Sequence, residues 1–140
     1  MRISGTLRTV LVDGYDRCLE VLVQGQAESL WVAALETDQY ARSGDPSHQF
    51  QEGAPVEMEV FVQYVSTVEA RDEKATLGLA QPLKSSHTSV VGRVIERISS
   101  DRFVCSISQE GDSLAVELER PVHVSIGQIV GFTGELSHVG

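Results

Sequence analysis

Apolar residues recur at every second position through most of the chain, and that period predicts strands rather than helices. Ile3, Gly5, Leu7, Thr9 and Leu11 fall on one face, against Ser4, Thr6, Arg8, Val10 and Val12 on the other. Asp13-Gly14 is a turn signal, and Cys18 to Gln24, with Leu19, Val21 and Val23 on one face, reads as the return strand of a hairpin that ends at Gly25. Leu30 to Leu35 is apolar enough for a strand buried on both sides, with Trp31 supplying packing area rather than a binding platform. Val56, Met58, Val60, Val62 and Tyr64 then alternate with Glu57, Glu59, Phe61, Gln63 and Val65, the clearest half-buried strand in the chain. Glu69 to Thr76 reads as a charged turn and Leu77-Gly78-Leu79 as a short strand. Val90 to Ile98, Arg102 to Ser108, Leu114 to Leu118 and Gln128 to Leu136 resume the alternation. Pro121 to Ile126 reads as a short edge piece, and Gly131 and Gly134 as bulge or bend positions.

The later strands repeat the plan of the earlier ones. Gly5, Asp16-Arg17, Gly25, Ser29-Leu30-x-Val32 and Gly53-x-x-Val56 recur in order as Gly92, Asp101-Arg102, Gly111, Ser113-Leu114-x-Val116 and Gly127-x-x-Val130. The first four anchors are displaced by 84 to 87 residues and the last by 74. The front copy therefore carries about ten extra residues between its third and fourth strands, within Glu36 to Gly53. That segment holds Asp38 to Arg42, which could form one helical turn, and the turn signal Ser43-Gly44-Asp45-Pro46. The division expected is a lobe over 1–80, a linker over 81–89 and a shorter lobe over 90–140. So small a second lobe buries too little surface to stand alone and must pack on the first or on another chain.

Five or so strands per copy, a bend glycine in the first strand and an insertion between strands three and four resemble the OB-fold barrel. Gly127-Gln128-Ile129-Val130-Gly131-Phe132-Thr133-Gly134 is similar to the Gly-x-x-Val-x-x-x-Gly strand that follows the insertion there. The front copy departs from it, with Val60 and Phe61 where the second glycine would lie. The resemblance is at the level of fold and names no family. It implies an all-β chain of two small OB-like antiparallel barrels or partial barrels, duplicated and packed together. It also implies a binder of oligonucleotides, oligosaccharides or proteins, among which fold cannot choose.

Charge narrows that choice. The 140 residues carry a net charge of −9, and the only lysines, Lys74 and Lys84, lie in the middle of the chain. Phosphate backbones are repelled by such a surface unless arginines cluster in the fold. Nucleic acid is therefore disfavoured, and a protein partner with a basic or neutral surface is expected; single-stranded nucleic acid or oligosaccharide on the barrel face is the alternative. No apolar run is long enough to span a bilayer and no basic-then-apolar leader opens the chain, so no membrane partner is expected and the cytoplasm is the expected location. A homo-oligomer stays open.

Chemistry is sparse. His48, His87, His123 and His138 show no metal-ligand spacing with each other or with cysteine, so neither metal nor cofactor is expected. Cys18 and Cys105 sit in strand-like runs and read as reduced, structural thiols. No phosphate loop and no Gly-x-Ser-x-Gly elbow is present, and no catalytic role is expected. The binding residues expected are Tyr40, His48 and Phe50 on the insertion, with Tyr15, Arg17 and Tyr64 on loops bordering the face that such barrels use. The insertion has two readings: a contact surface, or a plug in which Tyr40 and Phe50 fold back over the barrel end.

Overall fold

A computed structural model describes residues 1–140 and contains ten strands and no helix: β1 (Arg2–Asp13), β2 (Asp16–Val23), β3 (Leu30–Leu35), β4 (Pro55–Val65), β5 (Glu69–Ala70), β6 (Gly78–Ala80), β7 (His87–Ser99), β8 (Arg102–Ser106), β9 (Ser113–Leu118) and β10 (Ile129–His138). The positions with period two thus form strands as the alternation requires. Three local expectations differ. Asp38 to Arg42 forms no helical turn; instead Ala41 and Gly14 exchange backbone hydrogen bonds of 3.0 and 2.8 Å, which draws the segment back over the β1–β2 turn. Pro121 to Ile126 forms no strand, and Glu69-Ala70 adds a two-residue strand on β10 where a turn was expected.

All ten strands belong to one mixed sheet. The two halves are joined by shared strands rather than packed face to face, and the pairing is not purely antiparallel. β1 pairs with β2, β2 with β3, β3 in parallel with the end of β10, β10 with β4, and β4 with β1, so these hydrogen bonds return to their start as a ring. A second circuit runs through β7, β8, β9, β4 and β10, with β9 parallel to the end of β4. Both circuits use the β4–β10 pair. Each of these two strands lies in one circuit with its first residues and in the other with its last, because at 11 and 10 residues both outrun a typical strand.

Registers match the sequence anchors. Gly5 faces Val56 across β1–β4, and Gly92 faces Val130 across β7–β10. The N–H of Gly53 donates to the Leu7 carbonyl and the N–H of Leu7 to that of Ala54, at 2.7 and 2.9 Å. Gly127, Val94 and Gln128 make the same two bonds at the same lengths. Gly53 and Gly127 sit at φ 85° and 91°, a region that costs a side-chain-bearing residue about 1–2 kcal/mol, so glycine is favoured there at the entry to each long strand.

One apolar core runs through both circuits, from Ile3, Leu7, Leu19 and Val32 to Phe103, Cys105, Leu114 and Leu136. Phe103 and Phe132 meet edge to face in it, with centroids 5.8 Å apart. Trp31 is buried but stands outside this core, on the face of β3 that also carries Ala33 and Leu35. Its cover is the segment read as a linker. The Gln81 side-chain NH2 donates to the Trp31 carbonyl at 2.7 Å and the Gln81 side-chain oxygen accepts the Trp31 N–H at 2.8 Å, so one amide occupies an open strand edge.

Bulges, invisible to a period-two count, reset which residues face the core. In β1 the register shifts between Leu7 and Thr9, so Val12 turns inward while Leu11, expected on the inner face, is 52% exposed. In β4 the shift lies between Val62 and Val65: Val65 is buried, and Tyr64, which alternates with the inward residues of β4 but was also expected among the binding residues, is 62% exposed. Tyr64 takes φ 59°, the only positive value outside glycine.

Close neighbours, backbone at Gly5 and a side chain at Gly92, and not turn geometry constrain these two glycines. A Cβ on Gly5 would lie 2.0 Å from the Leu22 carbonyl oxygen, whereas one on Gly92 would meet the Cys105 sulfur at 2.7 Å. Gly5→Ala is expected to lower the unfolding free energy in urea by at least about 2 kcal/mol, and Gly92→Ala by less. Cys105→Ala should partly restore Gly92→Ala and do nothing for Gly5→Ala; equal losses with no such rescue would contradict this account.

Candidate functional site

The lower end of the first ring is closed by charge. Val12, Arg17 and Ala34 form a row across β1, β2 and β3 that points inward. Arg17 is fully buried, and its Nε donates to the Glu36 carboxylate at 2.9 Å, where Glu36 has just left β3. Its terminal nitrogens donate to the carbonyls of Gly14, Asp16 and Gln39, each at 2.9 Å. Glu36 also accepts from the Ser47 hydroxyl and from the Gln49 N–H at 2.9 Å. Ser47 in turn accepts the Phe50 N–H at 2.9 Å, and Phe50 enters the core. A buried pair of charges stands only when its remaining hydrogen-bonding capacity is filled, and here every buried side-chain polar atom has a partner. Burial pushes the Glu36 carboxyl up, but the Ser47 hydroxyl, Arg17 and the Gln49 N–H outweigh it and hold it below the usual carboxylate range.

Outside this plug lies a groove of about 600 Å³ lined by β1, β2, β3, β4 and β10. Its apolar part is Leu11, Ala33, Leu35 and the ring of Tyr64; its charged groups include Asp13, Asp16 and Glu135, none of which has an ion-pair partner. Sheet register places these residues. Asp13, Asp16 and Leu35 form one row across three strands, and Leu11, Cys18, Ala33 and Ser137 form the next, reaching β10. On the far wall Gln63 donates to the Ser137 hydroxyl at 2.9 Å. His138 lines the groove and stands edge-on to Phe50 at 6.1 Å; burial lowers its pKa.

The binding residues expected from sequence divide among three environments. Arg17 and Tyr64 line the groove, but the Arg17 guanidinium is committed to Glu36 and three carbonyls. Tyr15 and Tyr40 pack edge to face at 5.1 Å over the β1–β2 turn, both exposed. Phe50 is in the core, and His48 is exposed while its N–H donates to the Gln39 side chain at 2.8 Å. The insertion thus buries Glu36, Ala41, Ser47 and Phe50 and presents Tyr40 to solvent. Sequence reasoning passed over Leu11, Asp13, Asp16, Leu35 and Glu135. The Asp13/Asp16 pair flanking a turn was a readable signal; Leu11 was hidden by the β1 bulge, and Glu135 by the distance in sequence between β10 and β3.

Neither thiol is poised for reaction. Burial pushes the Cys105 thiol up to about 12. Burial also raises that of half-buried Cys18, with a backbone hydrogen bond from Ser86 opposing and the Glu135 charge adding to the rise. His48, His87, His123 and His138 contribute to no cluster of metal-ligating side chains. No protein-family model matches the chain, and no curated protein is similar to it in sequence.

These environments lead to three expected outcomes. Arg17→Met leaves the Glu36 carboxylate buried without its cation and should cost about 3–5 kcal/mol, while Arg17→Met combined with Glu36→Leu should cost less than the single change. Because the Glu36 carboxyl is held low in the folded protein, its stabilising contribution is complete above the unfolded-chain value of about 4.3 and disappears as pH falls through its folded value. Chemical denaturation of Glu36→Gln from pH 6 to pH 2 should therefore show a shallower acid loss than the parent; parallel curves would refute the assignment. For the thiols, labelling of folded protein by a disulfide reagent near neutral pH should be far slower than for a free thiol at both positions, with Cys105 the slower, since only thiolate attacks.

Proposed function

We propose that the chain is a duplicated OB-like barrel protein acting as a non-catalytic binding module, and that its groove receives a protein segment bearing basic and apolar side chains. The observation that carries this reading is the charge around the groove: Asp13, Asp16 and Glu135 stand without an ion-pair partner beside an apolar strip, and the one arginine or lysine among the lining residues, Arg17, is committed to Glu36. A cationic side chain entering the groove finds uncompensated charge and the face of an aromatic ring, for which a lysine or arginine gains about 0.5–2 kcal/mol. A phosphate backbone finds neither.

The five-stranded circuit supports the OB-like part of the proposal, since barrels of that kind are five-stranded and partly open. Tyr64 supports the placing of the site. An aromatic side chain at positive φ costs of order 1–3 kcal/mol and persists where the surroundings demand it, most often at binding sites.

Selection of displayed random peptides on the immobilised protein should enrich lysine or arginine beside leucine or an aromatic residue. The affinity of a selected peptide should drop about tenfold or more in Asp13→Asn/Asp16→Asn/Glu135→Gln and weaken with added salt. Tyr64→Gly should weaken it too while raising the melting temperature, because glycine relieves the left-handed backbone. Enrichment of acidic peptides, or tight binding of single-stranded DNA or RNA at low salt with the peptides inert, would overturn the proposal.

A further inference from the structure

Strand exchange between the halves of this chain has a consequence for its association with itself. β1, β2 and β3 form a meander, and so do β7, β8 and β9. To each meander is added one long strand, β4 to the first and β10 to the second, through residues near its beginning. The end of each long strand then leaves its own meander. Val62 and Val65 of β4 lie beside Val116 and Leu118 of β9, and Ser137 of β10 lies beside Ala33 of β3, both in parallel.

Exchanging the halves by the offsets of the sequence anchors preserves these registers. An offset of 74 carries Val62 onto Leu136, and those two residues already face each other at the β4–β10 crossing. The same offsets carry the Ala33–Ser137 neighbours one residue along both strands from Val116–Val62. Neither meander closes its ring without the arm of the other half. Nothing in the pairing requires that the two halves belong to one chain.

What holds them in one chain is the turn from β6 to β7, residues 81–86. β6 pairs antiparallel with β7, Leu79 opposite Val90, and the turn between them is exposed at Leu83. The Ser85 N–H donates to the Leu83 carbonyl at 2.8 Å, Gln81 ties the start of the turn to Trp31 and Thr88, and at its end the Ser86 carbonyl accepts from the Leu136 N–H at 2.9 Å and the Thr88 hydroxyl at 2.8 Å. If that turn opens to an extended chain, the half 87–140 of one copy can pair with the half 1–80 of another. Every strand pairing that joins the halves is then remade between chains, and those within each meander stay as they are. Exchange of this kind costs only the turn and the entropy of association, so concentration and connector length decide the outcome.

We propose that a second copy of this chain is a binding partner, engaged by reciprocal exchange of the halves about residues 81–86. In the exchanged dimer each groove takes Leu11, Asp13 and Asp16 from one copy and Glu135, Ser137 and His138 from the other, and one particle presents two grooves. Two linked sites bind a repeated ligand far more tightly than one. The inference stands on strand register and does not depend on what the groove binds.

Deleting residues 81–86 from the full chain joins Ala80 to His87, so β6 cannot lie opposite Ser89 to Val91 of its own copy while His87 and Thr88 stay paired with β10. Light scattering should then give twice the monomer mass, with the far-ultraviolet circular dichroism of the parent retained. A folded monomer would overturn the proposal. Should the shortened chain fail to fold, refolding the full chain at high concentration decides the matter: a species of twice the monomer mass should separate by size and return to monomer when refolded dilute, whereas monomer alone at every concentration would refute the proposal.

Discussion

The antiparallel crossing of β4 and β10 is the constraint on which the other features depend. It is short, with Leu136 opposite Val62, Ser137 opposite Phe61 and His138 opposite Val60. Yet it belongs to both rings, and Val60, Val62 and Leu136 are wholly buried within it. A chain of 140 residues divided into two independent barrels would have to bury two small cores, each marginal by its surface-to-volume ratio. Sharing two strands merges them into one core reaching from Ile3 to Leu136 and leaves fewer free sheet edges.

The crossing also explains where the groove lies. A strand that serves two rings must change direction between them, and a bulge is the local device that bends a strand and sharpens its twist. The β4 bulge falls between Val62 and Val65, just past the crossing, and it turns Tyr64 out to solvent. The β1 bulge turns Leu11 out on the neighbouring wall. Two aromatic or aliphatic side chains that alternation assigns to the core thus line a surface cleft, beside carboxylates that have no ion-pair partner. The groove is a by-product of closing two rings with shared strands.

Below the groove, the Arg17–Glu36 pair performs the task that apolar residues perform elsewhere. The second ring has no such pair: its corresponding Arg102 is exposed and 3.6 Å from Glu117. The ten additional residues of the first half supply Ser47, Gln49 and Phe50, whose hydrogen bonds and ring make a buried charge pair tolerable. Burying Arg17 and Glu36 is conditional on that segment, which is why the insertion is part of the fold and not only an ornament of the surface.

Local periodicity determined what it physically controls. Each of the eight longer strands lies within a few residues of where alternation predicts it, because a half-buried strand must present apolar groups at every second position. Paired glycines such as Gly53 and Gly127 were legible for the same reason, since a left-handed backbone is a property of one residue. Gly5 and Val56, and likewise Gly92 and Val130, are recurring sequence positions, but that they face each other across β1–β4 and β7–β10 came from the structure. What the tertiary structure decided is whatever depends on partners distant in sequence: that β10 completes the ring begun by β1, that Arg17 finds Glu36 and Ser47, that Trp31 is covered by Gln81, and that bulges invert Leu11 and Tyr64. A bulge adds one residue to one strand of a pair, and nothing within that strand announces it, because it is defined only by the register against the partner strand.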